Sequence, residues 1–180
     1  MARKTSRKSK SGKSRFAKTK RKTKSKKVRR VQPIPAGYHS ITPYLIINGA
    51  AAALEFYKNA FGAKEKVRMP APGGRVGHAE ITIGTSRLML ADENPAMNAR
   101  APQTGLAPPV SVLLYVKNVD KVFERAISIG ARVERPVENQ FYGDRAGTLI
   151  DPYGHRWHIH THIEEVSPKE MQRRMQAQHQ

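Results

Sequence analysis

The feature that most constrains the fold is an internal repeat. One segment with helical periodicity ends at Phe61-Gly62-Ala63 and a second ends at Ile129-Gly130-Ala131, and each has one β-rich run before it and three after it. Glycine stands at the end of each helix, where a left-handed residue commonly closes the last turn. The repeat predicts an α+β fold of two βαβββ units. Their strands form a curved mixed sheet with both helices on one face and a concave cup on the other.

The first unit covers residues 39–92. The β-rich run Ser40–Ile47 predicts a strand, and Asn48 is a candidate N-cap for a helix over Ala50–Phe61. Three further strands are predicted over 64–69, 78–83 and 87–91.

The second unit covers residues 110–163 and follows a linker over 93–109 that is rich in Pro, Ala and Gly. Ser111–Val116 predicts its first strand, and Asn118 is a candidate cap for a helix that runs to Ile129. Its remaining strands are predicted over 131–135, 142–150 and 156–162.

Two further local signals complete the domain, which we place at residues 33–180. The turn Asp151–Gly154 gives Asp151 a structural role, and Trp157 is expected in the core. Ser167, Pro168 and Glu170 form a capping box that starts a short helix over 167–176.

The net charge is divided unevenly along the chain. Of the 33 Lys and Arg residues, 16 lie within residues 1–30, where there is no acidic residue, so 17 basic and 14 acidic residues remain, a net of +3. Residues 1–32 therefore form a basic tail that is too poor in apolar groups to pack, and we expect it to be disordered. It either binds nucleic acid without sequence preference or only solubilises the chain. The candidate phosphate-binding residues are Lys20, Arg21, Lys22, Lys26, Lys27, Arg29 and Arg30.

The composition excludes several classes of function. The chain has no Cys, so it has no disulfide, thiolate metal site or cysteine nucleophile. It has no apolar run of about 18 residues and no secretory h-region, so we expect a cytoplasmic protein without a membrane partner.

The sequence resembles the vicinal oxygen chelate superfamily, and most closely its glyoxalase/bleomycin-resistance, PhnB-like branch. The resemblance covers roughly residues 39–175 and includes LEFYKNAFGA (54–63), GHAEITIG (77–84), NQFYGDR (139–145), DPYGHRWHI (151–159) and VSPKEMQRRM (166–175). It implies a small-molecule ligand in the cup, and a homodimer is an open possibility because members often dimerise.

The resemblance also implies four metal-ligand positions, one on the first and one on the last strand of each unit. Here they are Thr42, Met89, Ser111 and His158. Only His158 is a good ligand for a divalent cation, since hydroxyl groups are weak donors and thioethers suit soft ions. We therefore expect no cofactor, with a divalent metal as the alternative.

Strand alternation indicates which polar side chains share the cup face. His78 and Glu80 project together from one strand, and His158 and His160 from another. The expected ligand-binding residues are Thr42, Tyr44, His78, Glu80, Met89, Ser111, Tyr142, Arg145, His158 and His160.

These side chains allow several interpretations. His78, Glu80, His158 and His160 either form a displaced metal site or are the solvent-facing side chains of a one-sided sheet. Glu80 beside His78 is also a candidate acid/base pair without metal. Asp144-Arg145 either binds a small anion or pairs to order its hairpin, and His162 is expected at the surface.

Three functions follow from this. The first is a metal-independent protein that binds a small molecule in the cup. The second is a metal-dependent lyase or dioxygenase of the superfamily with displaced ligands. The third is a nucleic-acid-associated protein that acts through its basic tail.

Overall fold

The structure is a computed structural model that describes residues 31–103 and 105–178. The chain divides into two units, Met1–Pro33 and Ile34–Gln180, and the helices and strands of the fold lie in the second. The basic tail predicted over 1–32, with its candidate phosphate-binding residues, lies almost wholly outside the described residues.

Module one contains four strands and one long helix. Its elements are β1 (Tyr44–Ile47), α1 (Ala50–Phe61), β2 (Lys64–Ala71), β3 (Arg75–Ile83) and β4 (Ser86–Asp92). The sheet order is β1-β4-β3-β2, with β1 parallel to β4 and the other pairs antiparallel.

Module two repeats this topology. Its elements are β5 (Ser111–Tyr115), α2 (Val119–Ser128), β6 (Arg132–Asn139), β7 (Asp144–Ile150) and β8 (Arg156–His162), and α3 (Pro168–Ala177) follows it. The sheet order is β5-β8-β7-β6, with β5 parallel to β8. The α+β class and the repeated βαβββ unit predicted from the sequence are confirmed, as two four-stranded mixed sheets.

The first strand is shorter than predicted. It begins at Tyr44 rather than Ser40 because Pro43 has no backbone N–H to donate to the ladder. The carbonyl oxygen of Pro43 still accepts a hydrogen bond from the Met89 N–H at 2.9 Å.

The helix caps were predicted correctly in two of three cases. The Asn118 side chain accepts from the Lys121 N–H, and the Ser167 side chain accepts from the Glu170 N–H. The prediction that Asn48 caps α1 is wrong. The cap position is Gly49, and the Asp92 Oδ1 atom at the end of β4 accepts from the N–H groups of Gly49 and Ala50. A carboxylate there also complements the helix dipole.

Aromatic residues of module one pack into module two, so the two modules share one core. Tyr57 and Phe61 of α1 contact Trp157 of β8, with ring centroids 5.4 and 4.6 Å away. The buried Asp151 carboxylate accepts hydrogen bonds from the Tyr57 hydroxyl at 2.7 Å and the Trp157 indole at 3.0 Å. Asp151 and Trp157 therefore have the structural roles predicted for them.

Each sheet has one face covered by its helix and one uncovered face, which we call the open face. In module one, Tyr44, Met89 and Glu80 lie side by side on the open face. In module two, Leu113, His158 and Thr148 do so. Among the described residues, no helix is long and apolar enough to cross a membrane.

Candidate functional site

The open face of module one is organised around Glu80. Glu80 is 8% exposed, and its carboxylate accepts hydrogen bonds from the Tyr38 hydroxyl at 2.5 Å and the Arg87 guanidinium at 2.6 Å. The His78 ring lies 3.4 Å away on the other carboxylate oxygen, and the Tyr44 hydroxyl lies 3.3 Å from His78 Nδ1. The Tyr38 hydrogen bond, with those from His78 and Arg87, holds the pKa of Glu80 below its ordinary value despite burial.

The segment that carries Tyr38 is fixed to the same arginine. The Arg87 guanidinium lies 4.3 Å from the centre of the Tyr38 ring and donates to the Gly37 carbonyl at 3.3 Å. Gly37 has a φ of +82°, and an added Cβ would lie 3.3 Å from the guanidinium. Glu80 is therefore enclosed by groups of its own chain.

The open face of module two is organised around Asp144, which is 3% exposed. One carboxylate oxygen is 2.9 Å from both the His160 Nδ1 atom and the Tyr115 hydroxyl, and the other is 2.7 Å from His162 Nδ1. Burial raises the pKa of Asp144, but the hydrogen bonds from His160, His162 and Tyr115 outweigh it and hold the pKa below its ordinary value.

This arrangement fixes the proton positions on the imidazoles. An ionised carboxylate only accepts hydrogen bonds, so the Nδ1 atoms of His160 and His162 must both carry a proton. The hydrogen bond to Asp144 raises the pKa of His162. The same carboxylate raises the pKa of Tyr115.

Next to Asp144 lies a pocket of about 290 Å³, which we call the histidine pocket. His158, His160, Tyr142 and Arg135 are among its walls. The Tyr142 ring stacks on His160 at 6.3 Å with an interplanar angle of 23°. The His158 Nδ1 atom is 2.9 Å from the hydroxyl of Thr148. Burial lowers the pKa of His158, which keeps this ring neutral at pH 7.

A larger cavity of about 790 Å³, the seam groove, is lined by β1, β5 and the linker residues around them. Its walls are mainly aliphatic and proline side chains, and Arg100, His155 and Arg156 add polar groups. No Asp or Glu is among its described lining residues. Leu113, which lines the groove, is the register partner of His158, which lines the histidine pocket.

The structure gathers the predicted site residues into two groups. Tyr44, His78 and Glu80 meet in module one, while His158, His160 and Tyr142 meet in module two. Met89 lies beside Glu80 and Tyr44, Ser111 lines the seam groove, and Thr42 precedes β1.

Arg145 lies on the other side of β7 from Asp144. It forms a bidentate ion pair with Asp120 of α2, with a shortest distance of 2.6 Å, so it is directed away from the open face. The two neighbours Asp144 and Arg145 therefore do not pair with each other. His162, expected at the surface, is 48% exposed but also binds Asp144.

Sequence reasoning missed Tyr38, Arg87 and the central role of Asp144. Tyr38 lies before the first strand, so no alternation pattern applies to it. Arg87 was given no role, although it shares the open face with Thr82 across the sheet. Asp144 was considered only together with Arg145, although it is the register partner of His162 across the sheet.

At three of the four ligand positions that the resemblance implies the donors do not fit a divalent cation, since Thr42, Met89 and Ser111 offer hydroxyl and thioether groups. Within residues 31–103 and 105–178, no three His, Asp or Glu side chains are placed to hold a metal ion. His78 and Glu80 lie on one sheet and His158 and His160 on the other. The displaced metal site remains a prediction.

Comparison with known proteins establishes the family. The model of the Glyoxalase/Bleomycin resistance protein/Dioxygenase superfamily matches residues 37–159, and the chain belongs to this superfamily. The uncharacterized protein Rv0887c of Mycobacterium tuberculosis (strain ATCC 25618 / H37Rv) is 37% identical over 142 residues, which cover 77% of this chain and 84% of that protein.

Solved structures share the fold. The PhnB protein from Bacillus cereus aligns with a TM-score of 0.55 and 21% identity, over 68% of this chain and 99% of that one. The fosfomycin resistance protein FosX from Listeria monocytogenes, solved with Mn(II) and sulfate, aligns with a TM-score of 0.53 and 15% identity, over 72% and 93%.

Proposed function

We propose that this protein binds a small amphipathic molecule on the open face between its modules, without the metal that the superfamily often uses. The seam groove is the observation that supports this most directly. Its volume of about 790 Å³ lies within the range of small-molecule sites, and such sites combine apolar walls with a few polar groups.

The charges indicate the chemistry of the ligand. Arg100, His155 and Arg156 line the groove, and no carboxylate is among its described lining residues. Arg156 is paired with Glu134 at 2.6 Å and burial lowers the pKa of His155, which leaves Arg100 as the positive charge best placed for a ligand. A molecule with an apolar, partly aromatic part and one anionic group fits these walls. Its polar end can extend past Leu113 towards His158.

The test uses anilinonaphthalene sulfonate, an aromatic anion whose fluorescence rises in apolar sites, with the full-length protein. Leu113→Asp places a carboxylate in the groove at a side chain that is already 50% exposed. We expect the dissociation constant to rise about tenfold or more, because apolar contact is lost and like charges repel. Ile163→Asp is the matched control, since Ile163 is equally exposed and does not line the groove. Equal affinity of both variants and wild type would refute the groove as the site.

A homodimer remains part of this proposal. Exposed apolar side chains on the open faces support it, namely Tyr44, Met69, Leu113 and Tyr115, each at least 50% exposed. Sedimentation of the full-length chain measures the mass of the assembly directly. The same measurement on the Leu113→Asp variant tests whether the exposed apolar side chains of the open faces form the dimer interface.

A second function is supported by the charge of the tail. The 16 basic residues within residues 1–30 suit a polyanion such as nucleic acid. Replacing Lys20, Arg21 and Lys22 with Ala should reduce the slope of log affinity against log salt by about 2 to 3 for duplex DNA. An unchanged slope would show that these residues do not contact phosphate.

A further inference from the structure

His160 has the arrangement of a positioned base. Its Nδ1 atom is 2.9 Å from the Asp144 carboxylate, which is 3% exposed and also held by Tyr115 and His162. With the proton on Nδ1, the lone pair of neutral His160 is on Nε2. Carboxylates that hold imidazoles in this way fix the tautomer and the ring orientation.

The Nε2 atom of His160 is not fully buried, and His160 is one of the residues that line the histidine pocket. This nitrogen has no hydrogen-bond partner among the described residues, and it is not one of their buried polar atoms without a partner. The ring lines the pocket, and Tyr142 stacking on it restricts its rotation. The ring that carries this unpartnered nitrogen therefore borders a space of about 290 Å³.

The surroundings indicate what this base acts on. Among the described residues, no serine or threonine hydroxyl is bonded to His160, and the hydroxyl of the nearby Thr148 bonds to His158 instead. The chain also has no Cys, so no protein nucleophile is available for His160 to activate. The bound molecule is then the acid from which His160 can take a proton. Arg135 lines the same pocket and supplies a permanent positive charge for the anion that forms.

We propose that His160, positioned by Asp144, is a general base that removes a C–H proton from a carbon acid bound at the histidine pocket. The proton moves to Nε2, and the C–H electron pair moves into the adjacent electron-withdrawing group. The imidazolium, stabilised by Asp144, returns the proton to the molecule or to water. This inference rests on the proposed binding function and adds an activity to it.

Nitrobenzisoxazole is a suitable probe, since it is a small aromatic carbon acid. Loss of its C–H proton to Nε2 forms the nitrile as the N–O bond breaks, and the coloured phenoxide is released without any co-reactant. The full-length protein should convert it with saturation kinetics. His160→Gln should lower kcat about 100-fold with little change in KM, which is the size expected for a general base. His39→Gln, at an exposed histidine outside both cavities, controls for imidazole catalysis in general.

Asp144→Asn tests the positioning role. It should lower kcat and shift the pH profile of kcat, because the amide no longer favours the Nδ1–H tautomer or the imidazolium. Saturable binding of the probe without turnover overturns the inference and leaves the binding function intact. Equal turnover by His160→Gln overturns it as well.

If the probe does not saturate the protein, nitrogen NMR of the imidazoles decides the question, and anilinonaphthalene sulfonate reports the binding function separately. A proton on His160 Nδ1 and an unprotonated Nε2 near pH 8 support the inference. A proton on Nε2 overturns it.

Discussion

The open faces of the two modules each contain one buried carboxylate, but with different partners. Glu80 in module one is bound by the guanidinium of Arg87, which is charged at every accessible pH. Asp144 in module two is bound by two imidazoles and a phenol, whose protons can be lost. The same fold therefore contains a permanent ion pair on one face and a titratable network on the other.

The difference shows how a repeated fold separates structural from chemical roles. A carboxylate neutralised by arginine has no proton to exchange near neutral pH, and Tyr38 encloses it further. A carboxylate neutralised by histidine couples its charge to the protonation of its partners. Module two therefore contains the candidate chemistry, and module one contributes apolar surface to the seam groove.

The largest expected effect comes from removing the module-two carboxylate. Asp144→Ala removes the acceptor that buried His160 shares with the more exposed Tyr115 and His162, and we expect the free energy of unfolding to fall by about 3 kcal/mol near pH 7. Urea unfolding of the full-length protein measures this. Asp120→Ala, which breaks the more exposed pair with Arg145, is the control and should cost much less. Equal losses in both variants would mean that Asp144 is no more important than a surface carboxylate.

The second prediction concerns a variant in which Glu80 of module one, like Asp144 of module two, has only phenol and imidazole partners. Arg87→Met removes the permanent cation beside Glu80, and we expect a loss of about 2 kcal/mol near pH 7. The pKa of Glu80 is below its ordinary value, so its contribution is present above about pH 4.5 and is lost as pH falls through the folded pKa.

Without Arg87, the folded pKa of Glu80 moves up towards the ordinary value. Acid unfolding of the variant should therefore begin at a higher pH than that of wild type. If acid unfolding of the variant begins at the same pH as that of wild type, Tyr38 and His78 alone hold the Glu80 carboxylate ionised.

The third prediction concerns pH. The pKa of His162 is raised by Asp144, so the stability it contributes is complete below its ordinary pKa near 6.5 and is lost as pH rises through the folded pKa. The difference in unfolding free energy between wild type and His162→Gln should be larger at about pH 5.5 than at about pH 8.5. For Glu80→Gln, both pH values lie above the titration of Glu80, so the difference should be constant. If the difference in unfolding free energy between wild type and His162→Gln does not change with pH, the proposed contrast between the two modules is wrong.

The smallest effect concerns the contact between the two helices. Arg125 of α2 donates two hydrogen bonds, at 2.9 and 2.5 Å, to the Ala60 carbonyl at the end of α1. Arg125→Met should lower the unfolding free energy by about 1 kcal/mol, since a charged donor to a helix C-terminal carbonyl is lost. Lys121→Met on the same helix is the control. A loss no larger than that of the control would leave the aromatic core as the whole link between the modules.

Much of the fold could be predicted from the sequence because its signals are local. Helix α1 begins and ends where the apolar spacing and Gly62 indicate, and the capping box at Ser167 starts α3 as expected. The prediction for Asn48 failed because the cap of α1 comes from Asp92, 43 residues beyond the glycine it binds. No local pattern contains that information.

The candidate site could be predicted only in part for the same reason. Alternation grouped His158 with His160 and His78 with Glu80, and the structure has those pairs on common faces. It could not assign Arg87 to Glu80 or Asp144 to His160, since these contacts join different strands in a register that depends on the whole sheet.

The sequence by itself determined the repeat, the α+β class, the concentration of basic residues within residues 1–30, and the poor metal donors at three of the four ligand positions that the resemblance implies. These depend on composition and short-range spacing. Tertiary structure alone decided which carboxylate is paired with arginine and which with histidine, and where the groove between β1 and β5 lies. Partner choice for a charged group depends on burial and distances of a few ångströms between residues remote in sequence, and only the folded chain sets these.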